Sequence, residues 1–168
     1  MARILVAYAT KYGSTREVAE AVAEELRCHG LQVDVRPANE VRDVGAYSAV
    51  VVGGALYYFR WRHHAQALLT RNRKALAHLP VAVFGMGPIE DTVEQFEGAR
   101  EHLDRALAKQ PWLTPVSIAL FGGCLDPGGL RFPDNNPAIR NMSATDLRDW
   151  DAIRSWADSL PGAFGIGQ

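Results

Sequence analysis

Two cysteines in 168 residues, Cys28 and Cys124, are too few to build a metal-spaced thiolate cluster. No stretch approaches the ~20 uninterrupted apolar residues that crossing a bilayer requires, and the chain does not open with a basic segment, an apolar segment and a small-residue cleavage site. The expected state is a water-soluble protein in a reducing cytoplasm. Charge of one sign is missing too, since 18 Lys and Arg face 19 Asp and Glu, a formal net charge of −1. That balance excludes charge-driven recruitment of nucleic acid and lacks the strong acidity that accompanies electrostatically guided docking. There is no internal repeat, low-complexity tract or interdomain linker. What is present is 48% hydrophobic and 22% charged residues, an ordinary globular composition. One domain spanning 1–168 is expected, burying roughly 70% of the surface of the unfolded chain.

Apolar, β-branched runs recur at wide intervals: RILVAYA (3–9), LQVDVR (31–36), AVVVGG (49–54), VAVFGM (81–86) and VSIALFGG (116–123). Each has the length of a strand, and three are apolar on both faces, as parallel strands covered from both sides are. Helical patterns lie between them. STREVAEAVAEELRCHG (14–30) repeats apolar positions at Val18, Ala19, Val22, Ala23 and Leu26, has a hydroxyl residue to cap its start and ends on Gly30. HHAQALLTRNRKALAHL (63–79) and EQFEGAREHLDRALAKQ (94–110) show the same period; ATDLRDWDAIRSWADSL (144–160) closes the chain, with Thr145 or Asp146 as its cap. Strands alternating with helices through right-handed crossovers give an α/β fold, a doubly wound parallel sheet with helices on both faces. One segment, CLDPGGLRFPDNNPAIRNM (124–142), has no period, and a loop of that length is functional or mobile.

Ligands of open α/β sheets bind at the carboxyl edge, so the first strand-to-helix loop is the place to look. There, TKYGST groups the hydroxyls of Thr10, Ser14 and Thr15 around Gly13, beside the positive end of the following helix. A Walker loop would need GK followed by Ser or Thr, and a dinucleotide loop would need G-x-G-x-x-G; both are absent. Neutral hydroxyl donors suit a single phosphate monoester, and the simplest ligand joining such a group to an aromatic ring is FMN. The alternative is a Ser/Thr-rich helix cap without a ligand, although a generic cap uses one hydroxyl rather than three. After the third strand, GGALYYFRWRHH places Tyr57, Tyr58, Phe59 and Trp61 where a flavin-stacking wall could form; the competing expectation packs some of them, Phe59 first, under the next helix. After the fourth strand, FGMGPIED supplies Gly85, Gly87 and Pro88, a turn whose backbone can meet the edge of a ring.

The blocks ILVAYATKYGSTREVAEAVAEEL, YSAVVVGGALYYFRWRHHA and LRDWDAIRSWA resemble the flavodoxin-like superfamily, and within it flavodoxin-domain proteins of the menaquinone-dependent protoporphyrinogen IX dehydrogenase type. T-x-x-G-x-T after a first strand is the most specific match. The resemblance implies a flavodoxin-like three-layer sandwich with five parallel strands in the order 2-1-3-4-5. It also implies FMN-phosphate binding by Thr10, Lys11, Tyr12, Gly13, Ser14 and Thr15. Gly54, Ala55, Leu56, Tyr57 and Tyr58 would line the isoalloxazine, with Met86 and Gly87 at its edge. Members resembling the membrane-associated dehydrogenase have a basic, apolar helical insertion after the fifth strand; the polar 124–142 segment stands there instead, so membrane docking is not implied. Electron-carrier flavodoxins bracket the flavin with aromatics from two loops. This chain has no aromatic directly after its fourth strand, and one flavin face is expected to be open.

The implied activity is an FMN-dependent oxidoreductase acting on a porphyrinogen or quinone at the flavin N5, with no catalytic side chain demanded. The alternatives are an electron carrier serving a reductase and a cytochrome P450, and a non-enzymatic flavin-binding module. A phosphorylatable receiver is disfavoured because the third strand ends in GGAL and offers no aspartate. Self-association as a homodimer is open. Arg60, Arg62 and Arg131 are either carboxylate partners, for instance to propionates, or solvated arginines. His63 and His64 either transfer protons or open a helix. Cys28 is a packing or surface residue, and Cys124 lies at the ligand edge. Trp112, Trp150 and Trp156 pack helices on the sheet.

Overall fold

The computed structural model describes residues 2–57, 60–131 and 134–166, and of Tyr57 the backbone. Strand β1 (Arg3–Ala9) is buried at every position after Arg3, as its unbroken apolar run requires. It leads through the 10–13 loop into α1 (Ser14–Cys28). The helix has no side-chain cap at its start, contrary to expectation: Gly13 occupies the cap position at φ 94°, a left-handed conformation open to glycine at little cost. The Thr10 hydroxyl instead closes the loop one step earlier, accepting from the Gly13 N–H at 2.9 Å. Gly30, at φ 80°, turns the chain into β2 (Gln32–Pro37).

The remaining elements are β3 (Ala49–Tyr57), β4 (Arg60–Trp61), α2 (His63–Arg71), α3 (Arg73–Leu76), β5 (Val81–Met86), α4 (Val93–Ala108), β6 (Ser117–Phe121), β7 (Cys124–Leu125), α5 (Pro137–Arg140), β8 (Thr145–Asp146) and α6 (Trp150–Phe164). The five long strands pair in parallel in the order β2-β1-β3-β5-β6, the expected 2-1-3-4-5 once the short β4 is set aside. β4 folds back on β3, with Leu56 opposite Trp61.

Alternation along β1 divides the core into two layers. Ile4 and Val6 pack with Val18, Val22 and Leu26 of α1 and Ile153 and Leu160 of α6. Leu5 and Ala7 face the other way, onto Leu68 and Leu69 of α2 and Leu103 of α4. Each fully buried branched side chain contributes roughly 1.5–3 kcal/mol of transfer free energy. Trp112, Trp150 and Trp156 pack against these layers as expected, Trp156 also donating to the Ser117 hydroxyl at 2.8 Å.

Two helix assignments differ from the sequence pattern. The expected 63–79 helix breaks at Asn72, a buried residue whose side-chain amide donates to the Leu68 carbonyl at 3.0 Å and so competes for a helical acceptor. The last helix is capped by Asp149, which accepts from the Ala152 N–H at 3.0 Å. Thr145 and Asp146 form β8 against β7, and the Asp146 carboxylate is taken by Arg148. Among the described residues no helix is long and apolar enough to cross a membrane.

Candidate functional site

The parallel register brings Ala9, Gly54 and Gly85, then Ala55 and Met86, to one edge of the sheet. Beyond that edge lies a cavity of about 360 Å³, bordered by the loop after β1, the ends of β3 and β5, and the 123–142 stretch. Of the residues expected to hold the ligand, Tyr12, Ser14, Ala55, Leu56, Met86 and Gly87 line it directly.

At the end near α1, Thr15 is wholly buried and its Oγ1 has no hydrogen-bond partner. A buried hydroxyl left unpaired costs roughly 1–3 kcal/mol, and here it sits in the first turn of a 15-residue helix, where backbone N–H groups and the macrodipole favour an anion. Gly13 shapes the approach. The Lys11 ammonium is ion-paired with Asp134, which lines the cavity. The Tyr12 hydroxyl donates to the same carboxylate oxygen at 2.6 Å and accepts from the Arg131 N–H at 3.3 Å. Arg131 in turn donates to the Lys11 carbonyl at 3.2 Å and lies 5.4 Å from the centre of the Tyr12 ring, within cation–π range. The Asp134 hydrogen bond holds the Lys11 ammonium above its ordinary pKa, against the opposing effect of burial. Asp134 therefore fastens the 124–142 segment to the phosphate-loop candidate, a contact between residues more than 120 positions apart.

At the other end the expected aromatic wall is changed. Trp61 points into the core, 1% exposed, with its indole N–H donated to the Gly54 carbonyl at 3.0 Å. Gly54 serves that packing and does not line the cavity: a Cβ there would lie 2.6 Å from the indole nitrogen. Tyr58 and Phe59, and the side chain of Tyr57, lie outside the described residues. Ala55, Leu56, Met86 and Gly87, at the ends of β3 and β5, share the cavity lining with Leu125, Leu130, Ile139 and Met142. These four residues have no helical or strand period, and β7, α5 and the turn between them are shaped by contacts with distant residues, so pattern reasoning had no signal to find them.

Arg148 completes the frame, its guanidinium bonded to Asp146, Glu17 and the Ser14 carbonyl and stacked 4.9 Å from the Trp150 ring centre. It ties the start of α1 to β8. His63 and His64 open α2 and do not border the cavity; burial, then His63, lowers the His64 pKa. Cys124 lines the cavity and burial raises its thiol pKa, whereas Cys28 is exposed.

Thr15 itself does not line the cavity, but its unpaired buried hydroxyl follows cavity-lining Tyr12 and Ser14 in the chain, and with an apolar chamber bordered by Ala55, Leu56, Met86 and Gly87 it fits a phosphate monoester attached to a ring system. Comparison with known proteins agrees. The model of the flavodoxin-domain family matches residues 5–144. A protoporphyrinogen IX dehydrogenase [quinone] of Escherichia coli (strain K12) is 24% identical over 170 aligned residues, covering 94% of each chain. An NAD(P)H dehydrogenase (quinone) of Paraburkholderia phymatum is 33% identical over 91 residues, covering 41% of this chain and 46% of that one. A flavodoxin from the domain Archaea superposes with a TM-score of 0.60 at 13% identity, covering 97% of this chain and 99% of that one. A Pseudomonas aeruginosa flavodoxin gives a TM-score of 0.60 at 16% identity with the same coverage. With a family match over most of its length, the chain belongs to the flavodoxin-domain family of FMN-binding oxidoreductases and electron-transfer proteins, and FMN is its cofactor.

Proposed function

We propose that this chain is a one-domain FMN-dependent oxidoreductase whose substrate is a small, largely apolar redox compound of the porphyrinogen or quinone kind. The observation that carries the reading is that four aliphatic residues, Leu125, Leu130, Ile139 and Met142, line the same cavity as the ends of β3 and β5. FMN supplies the redox chemistry at its N5 when bound. The chain's own work is placement. The Thr15 and Ser14 hydroxyls and the α1 N–H groups hold the phosphate, Gly87 keeps the cavity edge free of a side chain, and the four aliphatic residues exclude water while leaving a surface against which an apolar substrate packs. Met142, 39% exposed, presents apolar surface on that segment.

Two further points support an enzyme. Both curated relatives named above have quinone in their names, and the net charge of −1 lacks the acidity of a carrier that docks electrostatically. The test is an anaerobic titration of the FMN-loaded protein with protoporphyrinogen and with several quinones, followed in the flavin spectrum. Flavin reduction by the porphyrinogen or reoxidation by a quinone, faster than with free FMN, is expected. Rates no greater than those of free FMN in both directions, with electron exchange only through a reductase or another redox protein, would establish the carrier instead.

A further inference from the structure

A second cavity, of about 470 Å³, opens between β4, α2 and α4 and shares no lining residue with the flavin cavity. Arg60 comes from β4, Gln66 from α2, and His102, Arg105 and Lys109 from one face and the end of α4; Trp61 and Ala106 complete the lining, and no Asp or Glu takes part. Basic residues near the end of a helix complement its dipole, which accounts for Arg105 and Lys109 taken alone. It does not account for Arg60, which arrives at the same cavity from a different element.

Lack of a carboxylate partner among the described residues is shared by Arg60, Arg105 and Lys109 with other cations such as Arg42, Arg73 and Lys74; what marks these three is that they meet around one cavity. Among the described residues Lys11, Arg3, Arg16, Arg100, Arg148 and Arg154 each lie within 4.0 Å of a carboxylate. No such partner stands beside Arg60, Arg105 or Lys109 among the described residues, although the chain has one more acid than base. Three cations around one concavity repel one another and focus a positive potential that an anion would relieve. Two of them are guanidinium forks, whose paired donors match the oxygens of phosphate and carboxylate, and Gln66 adds a neutral amide donor. The volume falls within the range of roughly 300–1,000 Å³ typical of small-molecule sites.

We propose that this cavity is a binding site for a small molecule bearing a phosphate or a pair of carboxylates, with the oxyanion seated on Arg60, Arg105 and Lys109. The test uses ¹⁵N-labelled, FMN-loaded full-length protein titrated with inorganic phosphate and, separately, with succinate, in chloride buffer of constant ionic strength. Saturable shifts confined to amides of residues 60–66 and 102–109, with half-saturation below about 1 mM, are expected for at least one probe. Which probe saturates first tells phosphate from dicarboxylate. A folded Arg105→Gln, Lys109→Gln double variant should weaken that probe at least tenfold, as should Arg60→Gln, while FMN affinity stays unchanged. Linear, unsaturated shifts with both probes up to 10-fold that concentration, or equal binding by the variants, would overturn the proposal. Because shifts at residues 10–15 report the flavin site separately, failure of one site is not mistaken for failure of the other.

Discussion

Replacing Thr15 with valine removes one hydroxyl and keeps the branched shape of the side chain. In the FMN-free protein that hydroxyl is buried and unpaired, a defect worth roughly 1–3 kcal/mol. Thr15→Val should therefore stabilise the FMN-free protein; taking about 1 kcal/mol, the low end, Tm rises by about 2–4 °C for a domain of this size. With FMN bound the sign reverses. The lost hydrogen bond to a phosphate dianion is worth ~1.5–3 kcal/mol, which is about a 10- to 100-fold rise in Kd. Thr15→Ala should show the same loss of affinity but a less stable FMN-free protein, since it also leaves a small void. Thr15→Ser should keep the affinity. Circular dichroism melts of the FMN-free proteins and flavin-fluorescence titrations read the two quantities independently. An unchanged Kd in Thr15→Val would show that Thr15 is a core residue with no ligand, and a lowered Tm in the FMN-free variant would show that its hydroxyl is satisfied within the protein.

Asp134→Asn should loosen the contact between the 124–142 segment and the loop after β1. Lys11 keeps 27% of its side chain in water, so the cost is about 1–2 kcal/mol, below that of a fully buried pair. Faster FMN dissociation and protease cleavage within 124–142 are expected, and unchanged cleavage would show that the segment is held by its apolar contacts. Acid should destabilise the fold through Asp34 and Asp146: the Tyr47 hydroxyl, against burial and with help from Arg3, holds Asp34 below the ordinary 3.8, and Arg148 does the same for Asp146. With folded-state pKa values depressed, their stabilisation is complete above 3.8 and is lost as pH falls through the folded values. Urea melts stepped down from pH 5 should show this, and Tyr47→Phe should flatten the Asp34 part; an identical pH profile in Tyr47→Phe would refute it. Finally, exposed Cys28 should alkylate first and without regard to FMN, while Cys124, which lines the cavity with a raised thiol pKa, should react slowly and be protected by FMN; mass spectrometry of labelled peptides reports both, and FMN-independent labelling of Cys124 would place it outside the flavin site.

Much of the fold is legible in the sequence because its signals are local. The runs at 3–9, 49–54 and 81–86 are apolar on both faces, which a strand tolerates only between two helical layers. The α1 period, the glycines at 13 and 30 and the hydroxyls around Gly13 likewise depend on neighbours a few positions away. Aromatic and polar residues whose roles depend on distant partners are not legible in the same way. Trp61 is a loop aromatic by sequence and a core residue by structure, because β4 folds back on β3 and its indole nitrogen finds the Gly54 carbonyl. Asn72 looks like a helix interior position, and burial beside the Leu68 carbonyl makes it a break.

The sequence by itself determined a parallel α/β sheet and a hydroxyl-rich loop at its carboxyl edge, since periodicity and turn chemistry are set within a few residues. Only the tertiary structure decided what closes the cavity and where three cations gather around a second one. Asp134 reaches Lys11 and Tyr12 across more than 120 positions, and Arg60 meets Arg105 and Lys109 from a separate element. Such juxtapositions arise from how the layers pack, and no local pattern encodes them.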